Sequence, residues 1–372
     1  MTRKIITRKS LKWMIALVLL AVSSILFVWN NYSFYERPIA TITDVTNYEE
    51  EHVIDQFGNE DTIYSQSINA KIQNGEHQGQ TITLTNHYSD SGAYDQAFSA
   101  GDDVFIWVDS FEDEELTGSI TDVKRDHYLV MIAWLFLFVL MAVGKRQGLY
   151  SALSLGVNGL ILSFALDIYL QASNDWLLVI CAISSILFTV ITLLLVNGAN
   201  EKTYTAILST LIVTTITMAL AYVVLTQLNN NGLRFEEMQF LTRPYQTVFM
   251  AGVLIGILGA VMDVSITMSA SIFGMYEENE AIEESTLKAS GLEVGRDVMG
   301  AMINIMFFAY ISGSIPSILL YFKNHSPLEF IVSLNLSLEL ARALVAGIGI
   351  VLAIPVGLYL SLYFVRRRRA KN

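Results

Sequence analysis

Between Val248 and Tyr321 the chain reads VFMAGVLIGILGAVMDVSITMSASIF, then GMYEENEAIEESTLKASGLEVGRD, then VMGAMINIMFFAYISGSIPSILLY. Two apolar segments, each long enough to cross a bilayer, flank a polar stretch. One carboxylate, Asp263, lies inside the first of them. A charged side chain at membrane depth costs at least ~2.5–3.5 kcal/mol on insertion scales, so it marks a function or a partner. This run alone excludes an ordinary soluble core and makes the chain a polytopic membrane protein.

The rest of the sequence agrees. Of 372 residues 53% are hydrophobic and only 16% charged, and the mean hydropathy is +0.47. Apolar runs predict eight spans: 13–29, 128–143, 149–170, 176–196, 204–225, 248–272, 298–321 and 336–365. The basic start and apolar middle of the first also fit a signal peptide. However, the exit VWNNYSFYER lacks an Ala-x-Ala-like site, so an uncleaved anchor is expected. Domains follow: a tail and anchor over 1–30, a polar domain over 31–127, and a seven-helix block over 128–372 with a loop at 273–297.

Lys and Arg concentrate on cytoplasmic ends. With both termini inside, fifteen basic residues fall inside and seven outside, and Arg342 sits within the last span. The expected topology therefore has both termini cytoplasmic and residues 31–127 outside.

The net charge of −12 is concentrated in that outer domain: Asn30–His127 holds 20 acidic and four basic residues. No basic patch lies on a folded domain, so nucleic acid is not an expected partner. Residues 36–125 alternate as strands at Pro38–Val45, Thr62–Ile72, Thr81–Thr85, Val104–Val108 and Leu116–Val123, separated by turn signals such as Asn74-Gly75 and Gly101-Asp102. Five short strands fit a small closed barrel, OB-like in class. The fold class is thus an α-helical polytopic membrane protein of about eight transmembrane helices with a small extracytoplasmic all-β (OB-like) domain.

The acidic run Glu112–Glu115 matches no calcium loop and reads as a solvated turn. Four of the five histidines, His52, His77, His87 and His127, share no metal-ligand spacing. No metal and no cofactor are expected. The single cysteine, Cys181, precludes an intrachain disulfide.

Polar groups within the spans are the site candidates. Asp263 is followed by Ser265, Thr267, Ser269 and Ser271, and either lines a substrate, ion or proton route or serves as a structural carboxylate. Glu339 and Arg342, three residues apart, share a helix face and are expected to pair near the outer end of the last span. Asn158 and Asn304 are candidate interhelical hydrogen-bond formers. Gly252 and Gly256 make a small-xxx-small packing step. Gly313 with Pro316, and Pro355 with Gly357, are expected to interrupt two spans, as in the broken helices of transporters. The acidic inner loop should be helical in part, turn at Gly291 and lead through a second short element to Arg296 and Asp297, candidates for contact with a cytoplasmic partner. Nucleophile–base pairs and metal clusters are missing from the spans, so no enzyme is expected.

Two stretches, GAVMDVSITMSASIFGMY (Gly259–Tyr276) and GRDVMGAMINIMFFAYISGSIP (Gly295–Pro316), resemble the YibE/F family of bacterial multi-spanning membrane proteins. Leu338–Gly357, Gly144–Leu149 and Val196–Leu208 add support, and the resemblance covers essentially the whole chain. It implies a plasma membrane location and a second protein of the same family as a partner. It carries no active site with it.

Two functional classes remain. One is a permease or permease subunit, motivated by Asp263, the broken helices and the acidic loop. The other is a non-transporting scaffold or sensor, whose outer domain binds an envelope component and whose inner loop contacts a cytoplasmic partner.

Overall fold

The computed structural model describes residues 8–92, 95–112, 115–171, 176–227, 233–235 and 244–370. It divides into two compact units, Met1–Val139 and Leu140–Asn372.

The first unit holds α1 (Arg8–Trp29), a five-stranded barrel and the start of α2 (Asp126–Gln171). The strands are β1 (Ile39–Ile54), β2 (Glu60–Ile72), β3 (Thr81–Ser89), β4 (Asp103–Glu112) and β5 (Glu115–Val123). They close in the order β1-β2-β3-β5-β4, with β3 and β5 parallel and every other pair antiparallel. The alternation seen in the sequence is the inside–outside period of a barrel wall: Ile68, Ala70, Ile72, Ile82, Leu84 and Val104 form its buried core. Gln66 plugs one end. Its side-chain nitrogen donates to Asn47 and to the Phe98 carbonyl, and its oxygen accepts from Asn86 and the Phe98 amide.

β1 runs nine residues past its expected end at Val45. Glu49, Glu50 and Glu51 are poor strand formers, but cross-strand pairing to Ser65, Tyr64 and Ile63 overrides that preference. Asp113 and Glu114 of the acidic run lie outside the described residues.

Beneath the barrel Lys124 is 1% exposed. Its ammonium donates to the Val28 carbonyl (2.7 Å) and to Asp126 Oδ1 (2.9 Å), while Asp126 Oδ2 accepts from Tyr35 and Asn31. Trp134 Nε1 donates to Ser24 Oγ, tying α2 to α1. A buried lysine is tolerated here because every charge has a partner.

The second unit is helical. The expected spans 128–143 and 149–170 are two arms of α2, joined at Lys145, whose backbone (φ 50°, ψ −122°) is not helical. A β-carbon on Gly148 would overlap the Leu140 carbonyl. A straight helix would hold these residues roughly 12 Å apart, so the chain doubles back here. There follow α3 (Leu177–Asn197), α4 (Glu201–Gln227), α5 (Tyr245–Glu278), α6 (Glu284–Ser312), α7 (Ile315–Lys323), α8 (Leu328–Ile331), a π-helical turn at Val332–Leu336, and α9 (Ser337–Arg369). Among the described residues six helices are long and apolar enough to cross a membrane, and the apolar part of α1, Ile15–Trp29, is shorter. α5 is central and packs against α3, α4, α6 and α9.

Three expectations are corrected. The stretch 274–297 is helical, as expected in part, but for Asn279–Glu283 alone, so it is a tight connection between long helices rather than a loop. Gly291 is inside α6 and makes no turn. A β-carbon there would meet the side-chain tips of Ile272 and Leu358 at 2.6 and 2.7 Å, so glycine lets three helices converge without displacing them. Finally, α9 continues through Pro355 without a break.

Candidate functional site

Acidic and basic residues gather at one end of the helical unit. Arg366 forms a two-pronged pair with Glu284. Arg368 reaches Glu277 at 3.3 Å and Glu201 at 3.9 Å. Arg369 donates to the Ile282 carbonyl, and both Arg368 and Arg369 lie over the Tyr276 ring. The start of α4, the α5–α6 connection and the end of α9 therefore share one end. This agrees with the alternation of spans expected from the sequence.

At the opposite end lies a cavity of about 450 Å³. Its polar wall comes from Tyr310 near the end of α6, Ser314 and Ser317 at the start of α7, Asn335 in the π-helical turn, and Glu339 and Arg342 in α9. Local sequence explains how these groups converge. α6 ends at Gly313, and Pro316 occupies the first turn of α7, where its missing N–H is no loss. The π turn widens the helix just before α9, a distortion that occurs often at functional sites.

Arg342 Nη1 donates to Glu339 Oε1, so the expected pair forms. The guanidinium also lies 5.2 Å from the centre of the Phe249 ring. Among the described residues Tyr310 Oη, Asn335 Nδ2 and Arg342 Nε are buried without a hydrogen-bond partner. Each such group costs roughly 1–3 kcal/mol unless something else fills it. Tyr310, Ser314, Ser317 and Asn335 were not legible as site residues. They become neighbours only through the α6–α7 break and the π turn.

Asp263 is elsewhere. It shares one face of α5 with Gly252, Gly256, Gly259 and Thr267, and on that face Gly252, Gly259 and Asp263 are exposed. Its carbonyl accepts from Thr267 Oγ1, and its carboxylate has no partner among the described residues. Ser265 and Ser269, which follow it in the sequence, face the other way. They meet Ser209 of α4 at 3.2 Å and Ser361 of α9 at 3.4 Å inside the bundle. Arg342 and Asp263 do not pair.

The other candidates separate as well. Asn158 Nδ2 bridges to Thr192 of α3 at 2.8 Å, whereas Asn304 Nδ2 bonds the Gly300 carbonyl of its own helix. Arg296 and Asp297 are exposed on α6. Gly256 is covered by Tyr310, but a β-carbon on Gly252 would meet open space, so only half of the packing step is used.

No curated protein and no solved structure matches the chain. Residues 132–367 match YibE/F-like protein, and residues 33–123 match the YibE/F family N-terminal domain. The N-terminal match coincides with the closed barrel, the longer one with the helical region, and the chain belongs to the YibE/F family.

Proposed function

We infer that the protein is a permease or permease subunit of the bacterial plasma membrane, without enzymatic chemistry, and that the cavity around Glu339 and Arg342 receives its substrate. The observation that carries this reading is the cavity itself. A charged pair, and residues that carry three unsatisfied buried polar atoms, line about 450 Å³ of space at the end of long apolar helices. Groups so costly in a membrane are ordinarily retained where a polar solute is handled. The basic termini support an orientation with this cavity toward the outside.

Osmotic swelling of liposomes holding the full-length protein tests the reading. Solute entry above that of empty liposomes is expected for at least one of a panel of small anions, cations and zwitterions, and Arg342→Ala should abolish it. Equal entry with and without protein across the panel would overturn it.

The exposed Arg296 and Asp297 favour a second reading, a scaffold or sensor that contacts a cytoplasmic partner through α6. Deleting residues 274–297 would remove Tyr276 and Leu287 from the helical core, so charge reversal is the better probe. Partner crosslinks unchanged in Arg296→Glu with Asp297→Lys would exclude that contact.

A further inference from the structure

We propose that the cavity beside Arg342 is a binding site for a small oxyanion with carboxylate or phosphate chemistry. This inference rests on the permease reading and names the substrate class of the same site.

Three observations converge. First, the unmatched groups are donors. Arg342 Nε and Asn335 Nδ2 can only donate, and the Tyr310 hydroxyl can donate. Acceptor oxygens are therefore the complement that the cavity-lining residues Arg342, Asn335 and Tyr310 lack. Second, Arg342 has one corner of its fork occupied by Glu339, while its Nε edge has no partner. Guanidinium edges bind carboxylate and phosphate with two parallel hydrogen bonds. Third, α7 starts at the cavity. Ser314 precedes its first turn without capping it through its side chain, and Ser317 lies within that turn. The first amide groups of a helix have no partner within it and carry partial positive charge.

Glu339 opposes an anion and limits its affinity. The ion pair leaves the wall close to neutral, which selects against large polyanions and suits a monovalent or divalent ion. About 450 Å³ holds such an ion with several waters.

The test uses the full-length protein in nanodiscs of zwitterionic lipid. Sodium phosphate and sodium acetate are titrated separately at ionic strength held constant with sodium chloride, and the thermal midpoint is followed. A saturable rise with at least one of the two is expected. Asn335→Asp, which replaces a donor with a second carboxylate, should weaken that binding about tenfold or more while leaving the ligand-free midpoint close to wild type. Glu339→Gln removes the competing charge and should tighten it. No saturable effect, or one that both variants leave unchanged, overturns the proposal. Stabilisation seen only when phosphatidylglycerol is added to the nanodisc overturns it too and assigns the cavity to a lipid headgroup. Solute flux without oxyanion binding would sink this inference and spare the permease reading. Binding without any flux would do the reverse.

Discussion

Tyr310 of α6 lies directly on Gly256 of α5, its phenol oxygen filling the space that a β-carbon would need. Gly252, one turn earlier on the same face, has open space where its β-carbon would be. The pair looks equivalent in sequence and is not equivalent in the fold. Gly256→Ala should destabilise by about 1–3 kcal/mol through overpacking, and Gly252→Ala should change little. Thermal unfolding of the two variants in the same detergent checks this, and equal midpoints would contradict the packing described.

Lys124 and Asp126 join the barrel to α1 and α2. Lys124→Met removes the donor to Val28 and leaves Asp126 without its cation. Breaking a buried pair from one side costs roughly 3–5 kcal/mol. Asp126 keeps 23% side-chain exposure, so the lower end is expected. Trp29 and Trp134 stand near the joint as fluorescence reporters of unfolding. Adding Asp126→Asn to Lys124→Met should cost less than the sum of the single changes.

Tyr32 donates to Asp103 Oδ2 at 2.9 Å, and burial, followed by that hydrogen bond, pushes its phenol up to about 12. Its folded value is raised above the ordinary 10, so its contribution is complete below pH ~10 and fades as pH climbs toward 12. An ultraviolet titration of tyrosinate should lose its latest-titrating component in Tyr32→Phe. A titration curve unchanged by that substitution would refute the assignment.

Arg366 and Glu284 close the acidic connection onto the end of α9. Glu284→Arg should lower the thermal midpoint and speed proteolytic cleavage within 279–283. Combining it with Arg366→Glu should restore both. Exposed pairs contribute little to stability, so cleavage rate is the more sensitive readout.

Asp263→Leu and Arg342→Leu should diverge. Asp263 has no side-chain partner to lose among the described residues, and its charge is costly in hydrocarbon, so stability should hold or rise. Removing Arg342 strands Glu339 and should lower stability. A comparable loss in both variants would mean that Asp263 is held by something in the assembled membrane protein.

Much of this architecture is legible locally. Strand alternation in Thr62–Ile72 and Thr81–Thr85 marks barrel walls because side chains on a strand change sides at every residue. Apolar length marks the helices, and the i,i+3 spacing of Glu339 and Arg342 marks their pair. The extension of β1 through three glutamates escapes such reading, since pairing with β2 supplies what propensity lacks. The turn expected at Gly291 fails for a related reason. Glycine there serves close approach to Ile272 and Leu358, and those neighbours lie far away in the chain.

Long apolar helices and an N-terminal all-β domain can be read from the residues alone, because apolar length and strand alternation are local properties. Only the tertiary structure decided which polar residues meet. The break at Gly313 and the π turn at Val332–Leu336 bring Tyr310, Ser314 and Asn335 to Arg342, whereas the helical period turns Asp263 outward and sends Ser265 and Ser269 inward. Which groups share a cavity depends on the rotation and register of whole helices, and these are set by packing between segments far apart in the chain.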